Sequence, residues 1–332
     1  MRLLTRLIAV LILTGIGFGG WLAWFASSPL PLAGSPLDFS IRQGATLKSA
    51  AAQMAASGIG FAPWRFTLLG RALGKAAEIK AGSYEVTEGI TPLQLLEKLT
   101  RGDVTQTEVV FVEGRTFRQM RAILDAHPDL KHDTMSLTDQ EILARIGAME
   151  LHPEGLFFPD TYLFAKQSSD LNVLRRAYRA MQSRLAVEWE GRAPSLPYRT
   201  PYEALIMASI VEKETGTGAD RPKVASVFVN RLRRGMLLQT DPTVIYGMGE
   251  RFDGNIRKQD LTTDTAYNTY TRSGLPPTPI AMPGLASLQA ALRPPATDLL
   301  YFVARGDGSS EFSRNLEDHN RAVARYQKRR GS

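Results

Sequence analysis

The chain has 332 residues and a formal net charge of +7, which is enough material for roughly two or three domains. It contains no cysteine, which excludes disulfides, and its four histidines form no metal-ligand motif, so we predict no metal and no organic cofactor. Apart from the run Lys328–Arg330 the basic residues are scattered, so charge alone does not distinguish anionic lipid, nucleic acid or an acidic polymer as partner.

The N-terminus predicts a membrane anchor. Arg2 and Arg6 precede an uncharged apolar stretch from Leu7 to Phe25. Its 19 residues, rising about 1.5 Å each, span roughly 28 Å, the thickness of a bilayer core. A cleaved signal peptide with a small-residue site at 26–28 is the alternative, but its apolar region usually has only about 7–15 residues. We therefore expect residues 1–28 to form a cytoplasmic stub and a single-pass helix, with the basic end inside.

Residues 29–36 are rich in serine, proline and glycine and predict a linker. Residues 37–104 predict a small α+β unit. The spacing Ile41-x-x-Gly44-x-x-Leu47 before an alanine-rich helix resembles the LysM module, a small fold that binds sugar polymers; a plain α+β spacer is the alternative. The predicted elements are a strand at Phe39–Ile41, helices at Leu47–Ala56 and Trp64–Leu73, a strand at Ala81–Val86 and a helix from Thr91 to Leu99.

Residues 105–332 predict a larger mixed domain, so the fold class that we predict is α+β. Proline-rich loops at 193–197 and 274–283 separate its elements. The predicted elements are a strand at Val109–Val112, helices at Thr116–Leu124, Leu174–Glu188, Tyr202–Glu214 and Val224–Arg233, a strand at Leu299–Val303 and a closing helix at Asn320–Lys328.

One helix of this domain carries carboxylates at the end of an apolar run. Ala204–Val211 leads directly into Glu212 and Glu214, with no glycine or proline between, which predicts a mostly buried helix. A carboxyl group buried without a partner keeps its proton near neutral pH, as general-acid cleavage of a glycosidic bond requires. The alternative is a solvated last turn of an ordinary helix.

Two later segments mix polar and aromatic side chains. Gln239, Thr240 and Asp241 lie between apolar residues and need hydrogen-bond partners, which a sugar can supply; Pro242 is expected to end any helix before it. The alternative is a plain junction between a helix and a loop. Farther on, residues 267–270 alternate aromatic rings with hydrogen-bonding groups, as sugar-binding clefts do and as a half-buried strand also does.

Several motifs together resemble the YceG-like endolytic murein transglycosylase family. The resemblance extends from the anchor to the C-terminal tail and is close from about Glu154 onward. The motifs are Glu154-Gly155, Phe158-Pro159-Asp160-Thr161-Tyr162, Ala208-Ser209-Ile210-Val211-Glu212-Lys213-Glu214-Thr215, Lys223 to Leu232, Leu238 to Gly247, Thr265 to Tyr270 and Gly274-Leu275-Pro276-Pro277.

The resemblance implies a lyase that cuts the β-1,4 bond between N-acetylmuramic acid and N-acetylglucosamine inside peptidoglycan strands. One carboxylic acid protonates the leaving oxygen and then, as a base, helps the muramic 6-hydroxyl attack C1, which leaves a 1,6-anhydro end. Aligned onto the family motif, this catalytic group is Glu214. Glu212 is the secondary catalytic candidate and is expected to be structural, paired with Arg231 or Arg233.

The resemblance also implies the partners and the location. We expect peptidoglycan glycan strands and the inner membrane as partners, no nucleic acid, and a catalytic domain in the periplasm that trims or terminates nascent strands. A role beside peptidoglycan synthase complexes stays open. The alternatives are a non-catalytic peptidoglycan-binding scaffold and a lysozyme-type muramidase. The candidate substrate-binding residues are Glu154, Gln239, Thr240, Asp241, Tyr246, Tyr267, Asn268 and Tyr270.

Overall fold

The computed structural model describes residues 2–214 and 218–326, which form two compact units of mixed α and β structure. This confirms the predicted α+β class. Thr215 and the basic run Lys328–Arg330 lie outside the described residues. The smaller unit comprises Met1–Glu108, Pro128–Lys131 and Leu163–Ser168; the larger unit comprises Val109–His127, His132–Tyr162 and Ser169–Ser332.

The chain begins with a long apolar helix, α1 (Arg2–Ser27). Its segment Ile8–Ser27 has a mean hydropathy of 1.9 and is long enough to cross a membrane. The middle of the helix contacts little else in the protein. Half to two thirds of the surface of several large apolar side chains is exposed there, namely Ile8, Val10, Leu11, Ile12, Leu13, Ile16 and Phe18.

The C-terminal end of α1, in contrast, is part of the core of the smaller unit. Phe25 and Ala26 are buried there. Trp21 stacks on Trp64 with 5.7 Å between ring centroids, and the guanidinium of Arg65 lies over both rings. Stacked and cation–π contacts of this kind add to the apolar area that the rings bury. Helix α1 therefore ends inside a folded unit.

Residues 37–101 of the smaller unit have the order strand, helix, helix, strand, helix. Strands β1 (Leu37–Ile41) and β2 (Gly82–Val86) are antiparallel, with Leu37 opposite Val86. Its helices are α2 (Leu47–Ala56), α3 (Pro63–Ala72) and α4 (Pro92–Arg101). Thr46 and Thr91 accept hydrogen bonds from the first turns of α2 and α4, so their side chains fix where these helices begin. The likeness to LysM stays a prediction.

The predicted linker, residues 29–36, packs against the smaller unit. Leu30 is buried in its core. Ala33 donates its N–H to the carbonyl of Gly58 over 2.9 Å. Gly58 has a φ of +103°, and a Cβ there would lie 2.7 Å from the Cβ of Ala33, so only glycine fits this approach. These contacts hold the segment after α1 in place.

The remaining elements follow in chain order. Strands β7 and β8 are antiparallel, with Tyr301 opposite Ser313. The elements are β3 (Gln106–Val110), α5 (Phe117–Asp125), β4 (Leu130–Lys131), α6 (Asp139–Ile146), β5 (Thr161–Ala165), β6 (Ser168–Ser169), α7 (Asp170–Glu190), α8 (Pro201–Glu214), α9 (Arg221–Arg233), α10 (Asp241–Met248), a 3₁₀ turn at Gly249–Arg251, α11 (Lys258–Thr262), α12 (Leu285–Leu292), β7 (Tyr301–Ala304), β8 (Ser310–Ser313) and α13 (Leu316–Tyr326).

Helix α8 is the centre of the larger unit. Every residue from Ala204 to Val211 is buried, as the apolar run predicted. The helix packs against α7, α9, α10 and α12. No helix runs into Pro242 from before it, since α9 ends at Arg233. Pro242 itself lies in the first turn of α10, a helix that the sequence analysis did not predict, because the missing N–H of proline costs nothing at that position.

We expect substitution of Leu96 to destabilise the smaller unit. Leu96 is fully buried on α4, so Leu96→Ala should lower the free energy of unfolding by about 2–5 kcal/mol. Leu93→Ala on the same helix is the control, because Leu93 is 37% exposed and should cost less than about 1 kcal/mol. Hydrogen exchange of the detergent-solubilised full chain, followed in residues 37–101, measures both. Equal losses in the two variants would contradict this packing.

Candidate active site

Glu214, the last residue of α8, is a carboxyl group held in a largely desolvated position. Burial raises its pKa. Thr240 donates its hydroxyl to Oε1 of Glu214, which acts in the opposite direction, and the charge of Asp241 raises the pKa further. The net effect is a raised pKa, so Glu214 keeps its proton at a higher pH than an ordinary glutamate does. This is the ionisation behaviour that a general acid needs near neutral pH.

A cluster of threonines fixes Thr240 against Glu214. The N–H of Thr240 donates to Oγ1 of Thr269 over 3.1 Å, and the hydroxyl of Thr243 donates to the carbonyl of Thr240 over 2.8 Å. Gln239 precedes them with a φ of +53°, which is uncommon for a residue with a side chain. A backbone angle of this kind persists only where the surrounding contacts enforce it. Here it precedes Thr240, whose hydroxyl donates to Glu214 and orients it.

Glu214 opens onto a cavity of about 540 Å³ in the larger unit. Three of the predicted substrate contacts share its wall with Glu214, namely Gln239, Asp241 and Tyr270. The hydroxyl of Tyr270 donates to Oδ1 of Asp241 over 2.5 Å. Tyr301, Phe302 and His319 add aromatic surface to the same wall. We name this space the Glu214 cavity. It combines one acid, several hydrogen-bonding groups and ring faces, as sugar sites do.

Arg231 contributes a positive charge to this wall that the sequence analysis did not assign to the site. Its Nε donates to the carbonyl of Leu300 over 2.7 Å, and its Nη1 donates to that of Leu238 over 2.8 Å. The guanidinium lies over the ring of Tyr301 at 5.0 Å. An arginine at the end of the apolar stripe of α9 was the available signal. Its hydrogen bonds tie Leu300, the residue before β7, to the loop before α10, so Arg231 also shapes the cavity.

Glu154 is a second buried carboxyl group. Only 3% of its surface is exposed, and burial raises its pKa to about 7. The N–H of Phe117 donates to Oε1 over 3.0 Å and the hydroxyl of Tyr246 to Oε2 over 3.1 Å, and both bonds lower the pKa. Desolvation outweighs them, so Glu154 is close to half-ionised at neutral pH.

Glu154 lines a different cavity, of about 720 Å³, in the larger unit. Two further predicted substrate contacts, Tyr246 and Tyr267, lie on its wall, with their rings edge to face at 4.9 Å. His152, Arg118 and Lys213 also line it. We name this space the Glu154 cavity. The predicted residues therefore fall into two groups and not into a single cleft.

The two cavities share the same chain segments. Lys213 lines the Glu154 cavity and its neighbour Glu214 lines the Glu214 cavity. In the same way Asp241 faces the Glu214 cavity, whereas Pro242 faces the Glu154 cavity. The end of α8 and the start of α10 therefore contribute to both walls. A polymer with several sugar rings could occupy both sites on this arrangement.

Glu212 points away from Glu214. Its Oε2 accepts the N–H of Gly284 over 3.0 Å, and Arg221 lies 3.8 Å from its Oε1. The expected partnership with Arg231 or Arg233 was wrong, because both of those side chains donate to backbone carbonyls. Two positions along a helix correspond to about 200°, which places Glu212 on the opposite face. Its contacts are those of a residue that holds the loop before α12.

Two predicted substrate contacts are buried and already hydrogen-bonded within the protein. Thr240 is occupied by Glu214 and the threonine cluster. The amide of Asn268 donates to the carbonyls of Asp260, Leu261 and Thr263, so it closes the turn after α11. Both are placed to support the site walls. Residues 267–270 form turns, so the alternative of a half-buried strand is wrong.

The chain is similar in sequence to proteins of one known family. A sequence model of the YceG-like family matches residues 39–325. A Bacillus subtilis protein named endolytic murein transglycosylase is 35% identical over 268 residues, which cover 76% of this chain and 74% of that protein. A Streptococcus pneumoniae protein of the same name is 28% identical over 286 residues; the match covers 75% of this chain and 51% of that protein. This chain thus spans about half the length of the pneumococcal relative.

The fold has a counterpart among solved structures. The crystal structure of a YceG-like protein from Listeria monocytogenes superposes with a TM-score of 0.55 at 30% sequence identity. The superposition covers 86% of this chain and 99% of the Listeria chain.

We expect the raised pKa of Glu154 to make stability depend on pH. The folded pKa of about 7 lies above the ordinary 4.5. The contribution of Glu154 to the free energy of unfolding is therefore fully present below pH 4.5 and is lost as pH rises through 7. At about 1.4 kcal/mol for each pH unit, the loss is about 3 kcal/mol.

The measurement is denaturant unfolding between pH 4 and pH 8.5. Glu154→Gln cannot ionise at this position, so its free energy of unfolding should not fall as pH rises through 7. Glu250→Gln changes an exposed ion pair with Arg118, and its free energy of unfolding should fall as that of the native chain does. Parallel pH profiles for the native chain and Glu154→Gln would show that Glu154 is ionised in the fold.

Proposed function

This chain belongs to the YceG-like family, and from that premise we propose that it is an endolytic lytic transglycosylase of peptidoglycan. The proposed reaction cuts the β-1,4 bond between N-acetylmuramic acid and N-acetylglucosamine within strands and leaves 1,6-anhydro ends. The observation that carries it is Glu214, a desolvated acid with a raised pKa that faces a polar and aromatic cavity. The names of the relatives agree with this activity.

In the proposed first step, Glu214 donates its proton to the glycosidic oxygen as the bond to C1 breaks. Burial keeps the proton on the acid until substrate arrives. The hydroxyl of Thr240 holds Oε1, so the carboxyl group does not rotate freely. After transfer, the same hydrogen bond stabilises the carboxylate that forms.

In the proposed second step, the Glu214 carboxylate takes the proton of the muramic 6-hydroxyl as its oxygen attacks C1. The electron pair of the new C1–O6 bond replaces the pair that left with the glycosidic oxygen, and the acid is regenerated. Because the nucleophile belongs to the substrate, no water is consumed. Intramolecular attack gains from proximity when the ring is held in the right pose. Gln239, Asp241 and Tyr270 are the proposed groups that hold it.

The two cavities are proposed to bind different sugar units of one strand. An enzyme that cuts within a strand needs sites on both sides of the scissile bond. The Glu154 cavity offers the rings of Tyr246 and Tyr267 for stacking and the carboxyl group of Glu154 for orientation. Arg118 and Lys213 add positive charge that suits the carboxylates of muramic acid and its stem peptide.

We propose that α1 anchors the protein in the inner membrane, with Arg2 and Arg6 in the cytoplasm and the units in the periplasm. The exposed apolar side chains in the middle of α1 need a non-aqueous environment, which lipid provides. Cleavage near residues 26–28 would remove Phe25 from the core of the smaller unit and Trp21 from its stack on Trp64. The packing therefore favours an uncleaved anchor over a signal peptide.

The smaller unit is proposed to position the enzyme on glycan and to take no part in the chemistry. Its order of strand, helix, helix and strand is compatible with the LysM likeness. In the membrane-bound protein, cutting near the bilayer would trim or terminate nascent strands, beside the synthases that make them.

The decisive test of the acid compares two glutamates on one helix. Glu214→Gln keeps the shape but has no transferable proton, and we expect turnover to fall by roughly 10³-fold or more. Glu212→Gln is the matched control and should mainly cost stability, because Glu212 binds Gly284 and Arg221. Turnover is measured on purified peptidoglycan by mass spectrometry of the soluble products. A dead Glu212→Gln beside an active Glu214→Gln would reverse the assignment.

A second candidate, a lysozyme-type hydrolase, is favoured by one observation: Asp241 is another carboxylate on the wall of the Glu214 cavity. The transglycosylase should give anhydro ends without solvent oxygen in H₂¹⁸O. The Asp241→Asn variant should stay active, but the alkaline limb of its pH–activity profile should move to lower pH, because Asp241 raises the pKa of Glu214. Reducing ends labelled with ¹⁸O and a dead Asp241→Asn would establish the hydrolase instead.

The topology has its own test. A reporter that is active only in the periplasm, fused after Ser332, should be active when the full chain precedes it. Moving Arg2 and Arg6 to the other end of the apolar stretch should reduce that activity, because basic residues set the orientation. Activity of a cytoplasm-only reporter at the same fusion point would overturn the proposed topology.

A further inference from the structure

Three side chains in the larger unit converge although their sequence positions give no motif. Asp125 is the last residue of α5, His132 follows β4, and Asp170 is the first residue of α7. One ligand atom from each lies within 4.8 Å of the other two. We name this group the Asp–His–Asp cluster. It lines neither the Glu214 cavity nor the Glu154 cavity.

The atoms of this cluster lack protein partners within the described part of the chain. Oδ1 of Asp125, Nδ1 of His132 and Oδ1 of Asp170 are each buried without a hydrogen bond. Asp170 is fully buried. A buried polar atom left unpaired costs free energy, and three residues that converge within 4.8 Å each carry such an atom. A shared bound group would satisfy all three together.

The other oxygen of Asp170 is firmly held. Oδ2 accepts the N–H of Thr134 over 3.2 Å and the hydroxyl of Thr134 over 2.6 Å. These bonds fix the orientation of the Asp170 carboxylate and leave Oδ1 as its unpaired oxygen. Ligating carboxylates in metal sites are typically oriented by such outer hydrogen bonds. Thr134 is itself buried, so the arrangement is part of the folded core.

We propose that the Asp–His–Asp cluster binds one divalent transition-metal ion, with zinc as the preferred probe. A mixed set of imidazole nitrogen and carboxylate oxygen suits zinc and its first-row neighbours, whereas magnesium and calcium prefer oxygen alone. Bonds of about 2.0–2.2 Å hold ligand atoms roughly 3–4 Å apart, so small side-chain rotations close the site. A water molecule could satisfy the hydrogen bonds but would bring no positive charge to the two carboxylates.

The position of the cluster assigns the ion a structural role. Its ligands come from the end of one helix, the residue after a strand and the start of another helix. One ion would cross-link all three elements and stabilise the larger unit by binding only the folded state. The proposed glycan chemistry needs no metal, so metal binding and peptidoglycan cleavage can fail independently.

The test uses the full chain in detergent, stripped with EDTA and dialysed. We expect close to one zinc ion per chain by titration calorimetry and elemental analysis, and a higher Tm with zinc than with magnesium. His132→Gln and Asp125→Asn should each weaken binding by roughly 10²-fold or more. Thr134→Val, which removes the hydroxyl donor to Asp170, should weaken it by roughly 10–100-fold. His127→Gln is the matched control and should bind like the native chain.

Cobalt provides a spectroscopic readout that is independent of stability. The native chain loaded with Co²⁺ should show visible absorption that His132→Gln changes or abolishes and His127→Gln preserves. Two results would overturn the proposal: no stoichiometric binding of zinc or cobalt by the native chain, or equal binding by native chain, His132→Gln and Asp125→Asn. The first would indicate a cluster closed by water or by a proton, and the second binding elsewhere on the surface.

Discussion

The site depends on the desolvation of the end of α8. The apolar run from Ala204 to Val211 packs against four other helices, and Glu214 follows this run at a position where desolvation raises its pKa. A carboxyl group in such a position keeps its proton unless a strong partner charge stabilises the anion. The main contact of Glu214 is a neutral hydroxyl, that of Thr240, which orients the group without forcing ionisation. A lysine or arginine in place of Thr240 would favour the carboxylate and remove the acid.

The two glutamates of α8 show how one helix creates two chemical environments. Glu212 accepts a backbone N–H and lies beside Arg221, so its negative charge has compensation. Glu214 has the charge of Asp241 nearby, which disfavours ionisation. Two residues of the same type, two positions apart, therefore differ through their surroundings alone. Helical periodicity places them on different faces, and the loops that meet each face determine the difference.

Much of the fold and part of the site could be predicted from sequence, for identifiable reasons. The helix ending at Glu214 was predictable because its apolar run is unbroken. Helix α10 was missed because Pro242 was interpreted as a terminator, although proline also suits a first turn. The role of Arg231 and the division of the site into two cavities depend on contacts between distant segments. Sequence spacing carries no information about such contacts, and the same holds for the meeting of Asp125, His132 and Asp170.

The packed junction between α1 and the smaller unit has a mechanical consequence. A flexible tether would let a periplasmic unit sample a volume whose radius grows with the length of the tether. Here Phe25 and Leu30 lie in one core, and the segment between them offers no slack. With α1 in the bilayer, as we propose, the smaller unit would diffuse laterally with the lipid and keep a constant height above it. The proposed search for a glycan strand would then be two-dimensional, and wall layers beyond that height would stay out of its reach.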